Sequence, residues 1–273
     1  MNVRDWLSNR MIDPEVALDA GVRYDPQKDA ILYPRTGTDG NRIGWKVRHL
    51  SDNRQYNTPA GIPLSDTVPF TTSHAGADAP LVICEGETDA LAFASKYQGY
   101  NVIGVPGATS FANSWAGLCA KYDNIYLIPD ADEAGGLLVN KVCGLMPRTR
   151  VVQVPWGMDL TDALIDGENI EELMLDAAPV ISTEPLRRTS YTFSGEISVP
   201  PGKLIELVSE KIPLRRRGKE WVGHCPFHDD ETPSFMVDPV KGLFYCHGCR
   251  RGGDAVSYLR EQGYTFREAK EML

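Results

Sequence analysis

Residues 125–136 read IYLIPDADEAGG. Four apolar residues, Ile125 to Ile128, stop at Pro129, and Asp130, Asp132 and Glu133 follow at once. A short β-branched and aromatic run closed by proline predicts a buried strand. The amphipathic stretch behind it, DEAGGLLVNKVCGLM, predicts a helix. Working outward, the same unit repeats. LVIC (81–84) precedes ETDALAFASKY, and NVIGV (101–105) precedes FANSWAGLCAKY. RVVQVPW (150–156) supplies a fourth strand. Short Val/Ile/Leu runs alternating with helices predict an α/β domain over 81–166, with a parallel sheet covered on both faces. Leu91, Phe93 and Ala94 are expected to face that sheet.

In an open α/β sheet, ligands bind beyond the carboxyl ends of the strands. Here the first strand is followed by Glu85, Glu87 and Asp89, the third by Asp130, Asp132 and Glu133, and the fourth by Asp159 and Asp162. An acid at a helix start also caps the first turn and favours the helix dipole, and Glu87 and Glu133 are read that way. Glu85 with Asp130 and Asp132 at one sheet edge is different. Clustered carboxylates repel unless a cation lies between them. Hard oxygen donors suit Mg²⁺ or Mn²⁺, which keep several waters and bind phosphates.

The 273 residues allow one to three domains, and 42% hydrophobic with 24% charged content is ordinary for a soluble globular chain. The formal charge of −9 argues against nucleic-acid binding driven by overall charge. That charge is uneven. After residue 196 there are 12 Lys and Arg against 11 Asp and Glu, a formal +1, so the preceding residues carry −10. No apolar run approaches the ~20 residues of a membrane span, and the N-terminus lacks the apolar core of a signal peptide. A cytoplasmic location is expected, with no membrane partner. Cys84, Cys119 and Cys143 stand singly in apolar segments and read as buried thiols.

The other three cysteines carry a message. CPFH (225–228) and CHGC (246–249) form C-x₂-H and C-x₂-C pairs. Two chelating pairs at such spacing predict a closed tetrahedral Zn²⁺ site of Cys225, His228, Cys246 and Cys249. His224 and His247 flank it and either could replace His228 in principle, but the pair spacing favours His228. With no open position the zinc is structural, and it stabilises residues 201–273 as a small unit. Before it, 167–200 holds a helix (ENIEELMLDAA) and then a Pro/Ser/Thr-rich linker. At the N-terminal end, residues 1–80 open with short helical patterns. A hairpin follows, with ILYP and IGWKVRHL as strands and TGTDGN as the turn.

EGETDALA, VPGATS and IPDADEAG together resemble the Toprim domain of bacterial-type primases, type IA and II topoisomerases and some nucleases. The resemblance implies that Glu85, Asp130 and Asp132 bind catalytic metal and that Asp89 belongs to the site. Asp159, and after it Asp162, resemble the family's third acidic motif. WVGHCPFHDDETPSFMVDPVKGLFYCHGCRRGGDAVSYL resembles the zinc-binding domain of bacterial and phage DNA primases. That implies contact with single-stranded template: Lys241, Arg250 and Arg251 on phosphates, and Phe235, Phe244 and Tyr245 either stacking on bases or forming the ribbon core. The run LRRRGKEW (Arg215, Arg216, Arg217, Lys219) is a second candidate backbone contact. AILYPRTGTDGNRIGWKVRHLSDNRQYNTPAG resembles the basic subdomain that precedes Toprim in primase cores. It offers Arg42, Lys46, Arg48, Arg54, Tyr56 and Asn57 to nucleotide and template.

Two features depart from the primase pattern. The zinc domain comes last rather than first, and Arg54 and Gln55 occupy the place of the usual Lys before Tyr-x-Asn. No G-x-x-x-x-G-K-[ST] motif is present, so any replicative helicase is expected as a separate chain. The implied activity is a compact, phage-like DNA primase that joins ribonucleoside triphosphates into short primers in the bacterial host cytoplasm. The alternatives are a Toprim nuclease using the same acids, or a non-catalytic single-stranded DNA-binding replication factor. A topoisomerase would need a tyrosine domain for which the chain has no room.

Overall fold

The computed structural model describes residues 3–155, 157–179, 199–200, 202–230, 232–249, 251–264 and 266–273. Most of the expected linker (180–198) and Arg250 lie outside the described residues. The chain divides into two compact units, Met1–Ser194 and Gly195–Leu273.

The first unit opens with helices α1 (Val3–Ser8) and α2 (Pro14–Asp19). Asp13 caps α2, its carboxylate accepting from the Glu15 amide, with Pro14 at the first helical position. An antiparallel sheet follows: β1 (Arg23–Asp25), β2 (Ala30–Thr36), β3 (Arg42–His49) and β4 (Gln55–Thr58), in sequential order. The expected hairpin is its centre, with Ala30 opposite His49 and Tyr33 opposite Lys46. Cross-strand partners share a face, so the β2–β3 ladder aims Tyr33 and Lys46 the same way.

The second sheet contains β5 (Phe70–Ser73), β6 (Leu81–Cys84), β7 (Asn101–Gly104), β8 (Ile125–Ile128), β9 (Arg150–Val151) and β10 (Ala178–Pro179), in the order β10-β9-β8-β6-β7-β5. Between them run α3 (Glu87–Lys96), α4 (Asn113–Cys119), α5 (Glu133–Leu145), α6 (Leu160–Ile165) and α7 (Ile170–Leu175). Strands β9, β8, β6 and β7 are parallel as expected, while the outer strands β5 and β10 run antiparallel, so the sheet is mixed. β6 is buried on both faces. Leu81 and Ile83 join Trp115 of α4 and Leu138, Val139 and Val142 of α5 in one core. Val82 and Cys84 face the other side, where α3 packs with Leu91 and Phe93 fully buried.

Three sequence expectations need correction. The fourth strand is only two residues long, because 152–155 turns away toward Pro155 and a loop. Residues 64–80, whose end reads from sequence as a loop, contribute the edge strand β5 on β7 through residues 70–73. The end of the expected 168–178 helix instead bridges to β9 through Ala178 and Pro179.

The second unit is a five-stranded antiparallel sheet flanked by helices. Its elements are α8 (Lys203–Ser209), β11 (Arg215–Arg217), β12 (Glu220–Gly223), β13 (Phe235–Asp238), β14 (Leu243–Cys246), β15 (Gly252–Gly253), α9 (Ala255–Glu261) and α10 (Phe266–Met272). One face carries Phe235, Val237 and Phe244, all buried, and Phe235 stacks on Phe244 at 5.1 Å between centroids. Phe227 and Tyr258 complete this aromatic core. Among the described residues no helix is long and apolar enough to cross a membrane.

Candidate active site and metal centre

The acids gather where the parallel strands end. Glu85 follows β6 and is 8% exposed, and its Oε2 accepts from the Asp130 amide at 3.1 Å. Asp130 follows β8. Asp132 caps α5, its Oδ1 accepting from the Gly135 amide at 2.8 Å. Asp159 caps α6, its Oδ1 accepting from the Asp162 amide at 2.6 Å. Asp89 lies in the first turn of α3 and accepts from Thr161. The structure thus brings Glu85, Asp89, Asp130, Asp132 and Asp159 to one edge from three strand–helix junctions.

Their electrostatics bear the cost of that gathering. Burial, then the Asp89 and Glu85 charges, push Asp130 up to about 9. Burial and the charges of Asp132 and Asp89 push Glu85 up to about 7, against the amides that hydrogen-bond it. Asp89 is also raised, chiefly by burial, against the pull of Thr161 and the Arg48 charge. A cation is the ordinary remedy for such a set, and the donors are hard oxygens, so the residues fit a divalent metal of the Mg²⁺ class. Two glycines make the packing possible. Gly86 has φ +135°, and a Cβ there would sit 2.6 Å from Asp89 Oδ2. A Cβ on Gly135 would run into the Asp130 carbonyl.

The basic subdomain grips this edge from the side. Lys46 Nζ donates to Glu87 Oε2 at 2.6 Å, and both side chains are largely buried. Glu87 is therefore not simply a helix cap: its charge is paired. Arg48 donates to Thr88 Oγ1 at 2.9 Å and to Asn53 Oδ1 at 2.7 Å, and Tyr33 meets the same Thr88 hydroxyl at 3.0 Å. Burial lifts the Tyr33 phenol to about 12. Asn57 lines a small cleft with Lys46, Arg35 and Glu87. Arg42 instead lies over Trp45, and Arg54 sits with Asp52 and His49. Arg10 joins this group without any sequence motif to mark it. It stacks on Trp6, and burial with the Arg48 charge lowers its pKa against the pull of Asp159 and Asp89. A lone Arg after a short helical pattern gives no signal for this in sequence.

The zinc ligands converge as predicted. The ligand atoms of Cys225, His228, Cys246 and Cys249 all lie within 4.8 Å of one another. Cys225 Sγ and Cys249 Sγ are 3.8 Å apart, and Cys246 Sγ lies 3.9 Å from His228 Nδ1. A tetrahedron with Zn–S bonds of about 2.3 Å has edges close to these. Among the described residues this is the one cluster of three or more Cys, His, Asp or Glu at such spacing, so the acidic edge is the more open of the two. Outer partners fix the ligands. Asp230 Oδ2 accepts from the Cys225 amide at 2.7 Å and from Ser234 Oγ at 2.9 Å, and Asp230 Oδ1 lies 3.8 Å from His228 Nε2. Burial raises the Cys225 thiol to about 12. Burial also acts upward on Cys246, but the Ser234 hydroxyl, the Cys249 amide and the Cys225 and Cys249 thiols together outweigh it and bring that thiol down to about 7. Gly248 leaves room for His228, since a Cβ would sit 2.6 Å from its Nε2.

The expected stacking residues divide. Phe235 and Phe244 are 0% and 2% exposed and belong to the core, so they present no face to a base. Tyr245 is 44% exposed on the opposite face. There the register aligns Arg215, Val222, Met236, Tyr245 and Gly252 in one row across all five strands. A groove of about 610 Å³ runs over this face, lined by Met236, Leu243, Tyr245, His247 and Lys241. Arg251 pairs with Glu261 at 3.0 Å and lies over Phe227. Lys241 is exposed beside Asp238.

Comparison with known proteins agrees with both halves of this picture. Residues 82–164 match the family model described as Toprim-like, and residues 201–273 match the CHC2 zinc finger model. A DNA primase of Synechococcus elongatus is 48% identical over 60 residues, 22% of this chain and 9% of the relative. A DNA primase of Myxococcus xanthus is 49% identical over 67 residues, 24% of this chain and 11% of the relative. The chain thus spans about a tenth of the length of these curated relatives. The primase fragment of the bacteriophage T7 primase-helicase protein shares the fold, with a TM-score of 0.51 and 24% identity over 62% of this chain and 72% of that one. The chain thus carries a Toprim-like domain and a CHC2 zinc finger, and over 60 to 67 residues it is similar to curated DNA primases.

Proposed function

We propose that the chain is a DNA primase that copies single-stranded DNA into short RNA primers. One observation carries this: an acidic Toprim-type edge and a primase-type zinc finger occur in the same chain. Glu85, Asp130 and Asp132, with Asp89 and Asp159, are the residues placed to hold divalent Mg²⁺ or Mn²⁺. Such metals, when bound, would lower the pKa of the primer 3′-hydroxyl and neutralise charge on the triphosphate and leaving pyrophosphate. The chain's own part is orientation and charge. Burial and mutual repulsion leave Glu85, Asp89 and Asp130 ready to trade protons for a cation. Lys46 and Asn57 line the adjoining cleft, and Arg35 offers it a further cation.

The zinc finger's open face suits template. Tyr245 and Met236 offer a flat apolar floor, and Arg215 stands in the same row for a phosphate. Substrates are ribonucleoside triphosphates, and a replicative helicase is a partner. The setting is the cytoplasm, that of the bacterial host if the chain is phage-encoded.

The test is primer synthesis on single-stranded DNA with labelled ribonucleotides and Mg²⁺ or Mn²⁺, resolved on a gel. Wild type is expected to give short products. Asp130→Ala is expected to lose at least about 10²-fold, the order of effect of removing one stabilising group from a developing charge. Degraded template in place of primers would assign the same acids to hydrolysis and overturn the proposal.

A further inference from the structure

Asp89 differs from its neighbours in how it is held. Its Oδ1 accepts twice from one residue, from the Thr161 hydroxyl at 2.6 Å and from the Thr161 amide at 3.1 Å. Its Oδ2 lies over Gly86, where no Cβ intervenes. The carboxylate is thus held through Oδ1 by Thr161, while Gly86 leaves room for Oδ2. Thr161 is itself only 6% exposed and is the second residue of α6. Two residues before it, Asp159 caps that helix. One side chain therefore ties the acid of the first strand–helix junction to the acid of the last, although 70 positions separate them in sequence.

We propose that Thr161 is a positioning residue of the nucleotidyl-transfer site. It orients Asp89 and sets Asp159 in register with it, so that the two carboxylates are offered to a divalent metal as a fixed pair. This rests on the proposed function of the acidic edge. The chemistry favours threonine here. A hydroxyl and an amide from the same residue supply two donors to one oxygen, and the β-branch limits the hydroxyl to few rotamers. The packing of α6 does not depend on that hydroxyl, because Leu160, Ala163 and Leu164 are buried independently of it. Thr161→Val keeps the shape and the amide bond and removes the orienting donor. Thr161→Ser keeps the donor.

The experiment is Mn²⁺ binding to the zinc-loaded chain, followed by the loss of the free-ion electron paramagnetic resonance signal, for wild type, Thr161→Val, Thr161→Ser and Asp130→Ala. Thr161→Val is expected to weaken Mn²⁺ binding roughly tenfold, as losing an outer partner of a metal ligand does. In primer synthesis its half-saturating metal concentration should rise by the same factor. Thr161→Ser is expected to stay close to wild type. Wild-type affinity in Thr161→Val overturns the inference alone. Equal loss in Thr161→Val and Thr161→Ser also overturns it, because packing rather than the hydroxyl would then be responsible. Absence of Mn²⁺ binding in wild type, or full binding in Asp130→Ala, overturns the metal site itself and the inference with it.

Discussion

The two metal-directed regions are built by opposite logic. The zinc ligands come from one loop, the end of β14 and the turn after it, all in one small sheet, and their donor atoms close to within 4.8 Å. The acids come from three strand–helix junctions spread over 75 residues, Glu85 to Asp159, and Asp89, Asp132 and Asp159 accept hydrogen bonds from outside the cluster. Thiolates and imidazole around Zn²⁺ are held together by the ion. The carboxylates are held together by the sheet, against their own repulsion. The lesson concerns where stability resides. At the finger the metal is part of the fold, whereas at the acidic edge the fold precedes the metal.

Zinc removal is the sharpest way to break that contrast, and it has the largest expected effect. Structural zinc contributes on the order of 10 kcal/mol in small fingers, more than a unit the size of Gly195–Leu273 retains without it. A strong chelator, or Cys246→Ser, should make residues 195–273 susceptible to limited proteolysis and leave 1–194 resistant. Persistent protection of the finger after zinc loss would show that its aromatic core suffices.

The same contrast explains what could be read from sequence. The zinc ligands were fully legible, because a chelating pair is a local pattern and its spacing fixes its geometry. The parallel strands were legible because burial on both faces makes each an unbroken apolar run, and the carboxyl-end rule then located Glu85, Asp130 and Asp132. What the sequence hid were long-range partners. Glu87 looked like a helix cap because nothing local points to Lys46, 41 positions away. Thr161 and Arg10 looked ordinary for the same reason. Phe235 and Phe244 looked like stacking platforms, but strand alternation puts them on the helix-covered face. Alternation alone does not say which face that is. Strand β5 was hidden because FTTS pairs through one edge and has little apolar content to announce it.

A smaller effect sharpens the claim that the acidic edge is braced from outside. Lys46→Met should strand the Glu87 charge in a buried position and cost about 3 kcal/mol in a denaturant titration. The double variant Lys46→Met/Glu87→Gln removes both charges and should recover most of that loss. If stability returns and primer synthesis does not, Lys46 acts on nucleotide as well as on α3. If the single variant costs less than about 0.5 kcal/mol, the range of an exposed pair, the brace is not where the contacts place it.

The smallest expected effect bears most directly on the contrast, because it asks whether the acids oppose the fold. Asp130 is raised to about 9 from an ordinary 3.8, and Glu85 to about 7 from 4.5. A carboxyl whose folded pKa is raised binds its proton more tightly in the folded state. Its contribution is fully present below the unfolded value and is lost as pH rises through the folded one. The zinc-loaded chain without Mg²⁺ should therefore lose thermal stability steadily from about pH 4 to about pH 9. Four of the five tryptophans lie within residues 1–194, so fluorescence reports mainly on the unit that carries the acids. Even about 1 kcal/mol moves the Tm of a unit of this size by 2–4 °C, enough to resolve the trend. Asp130→Asn should flatten the slope and melt above wild type at pH 8.5, the reverse of what losing a zinc ligand does. Mg²⁺ should raise the wild-type Tm more at pH 8.5 than at pH 6 and do little for Asp130→Asn. A wild-type Tm that stays level or climbs across this range would mean that the acids do not oppose the fold, and the distinction between the two regions would fail.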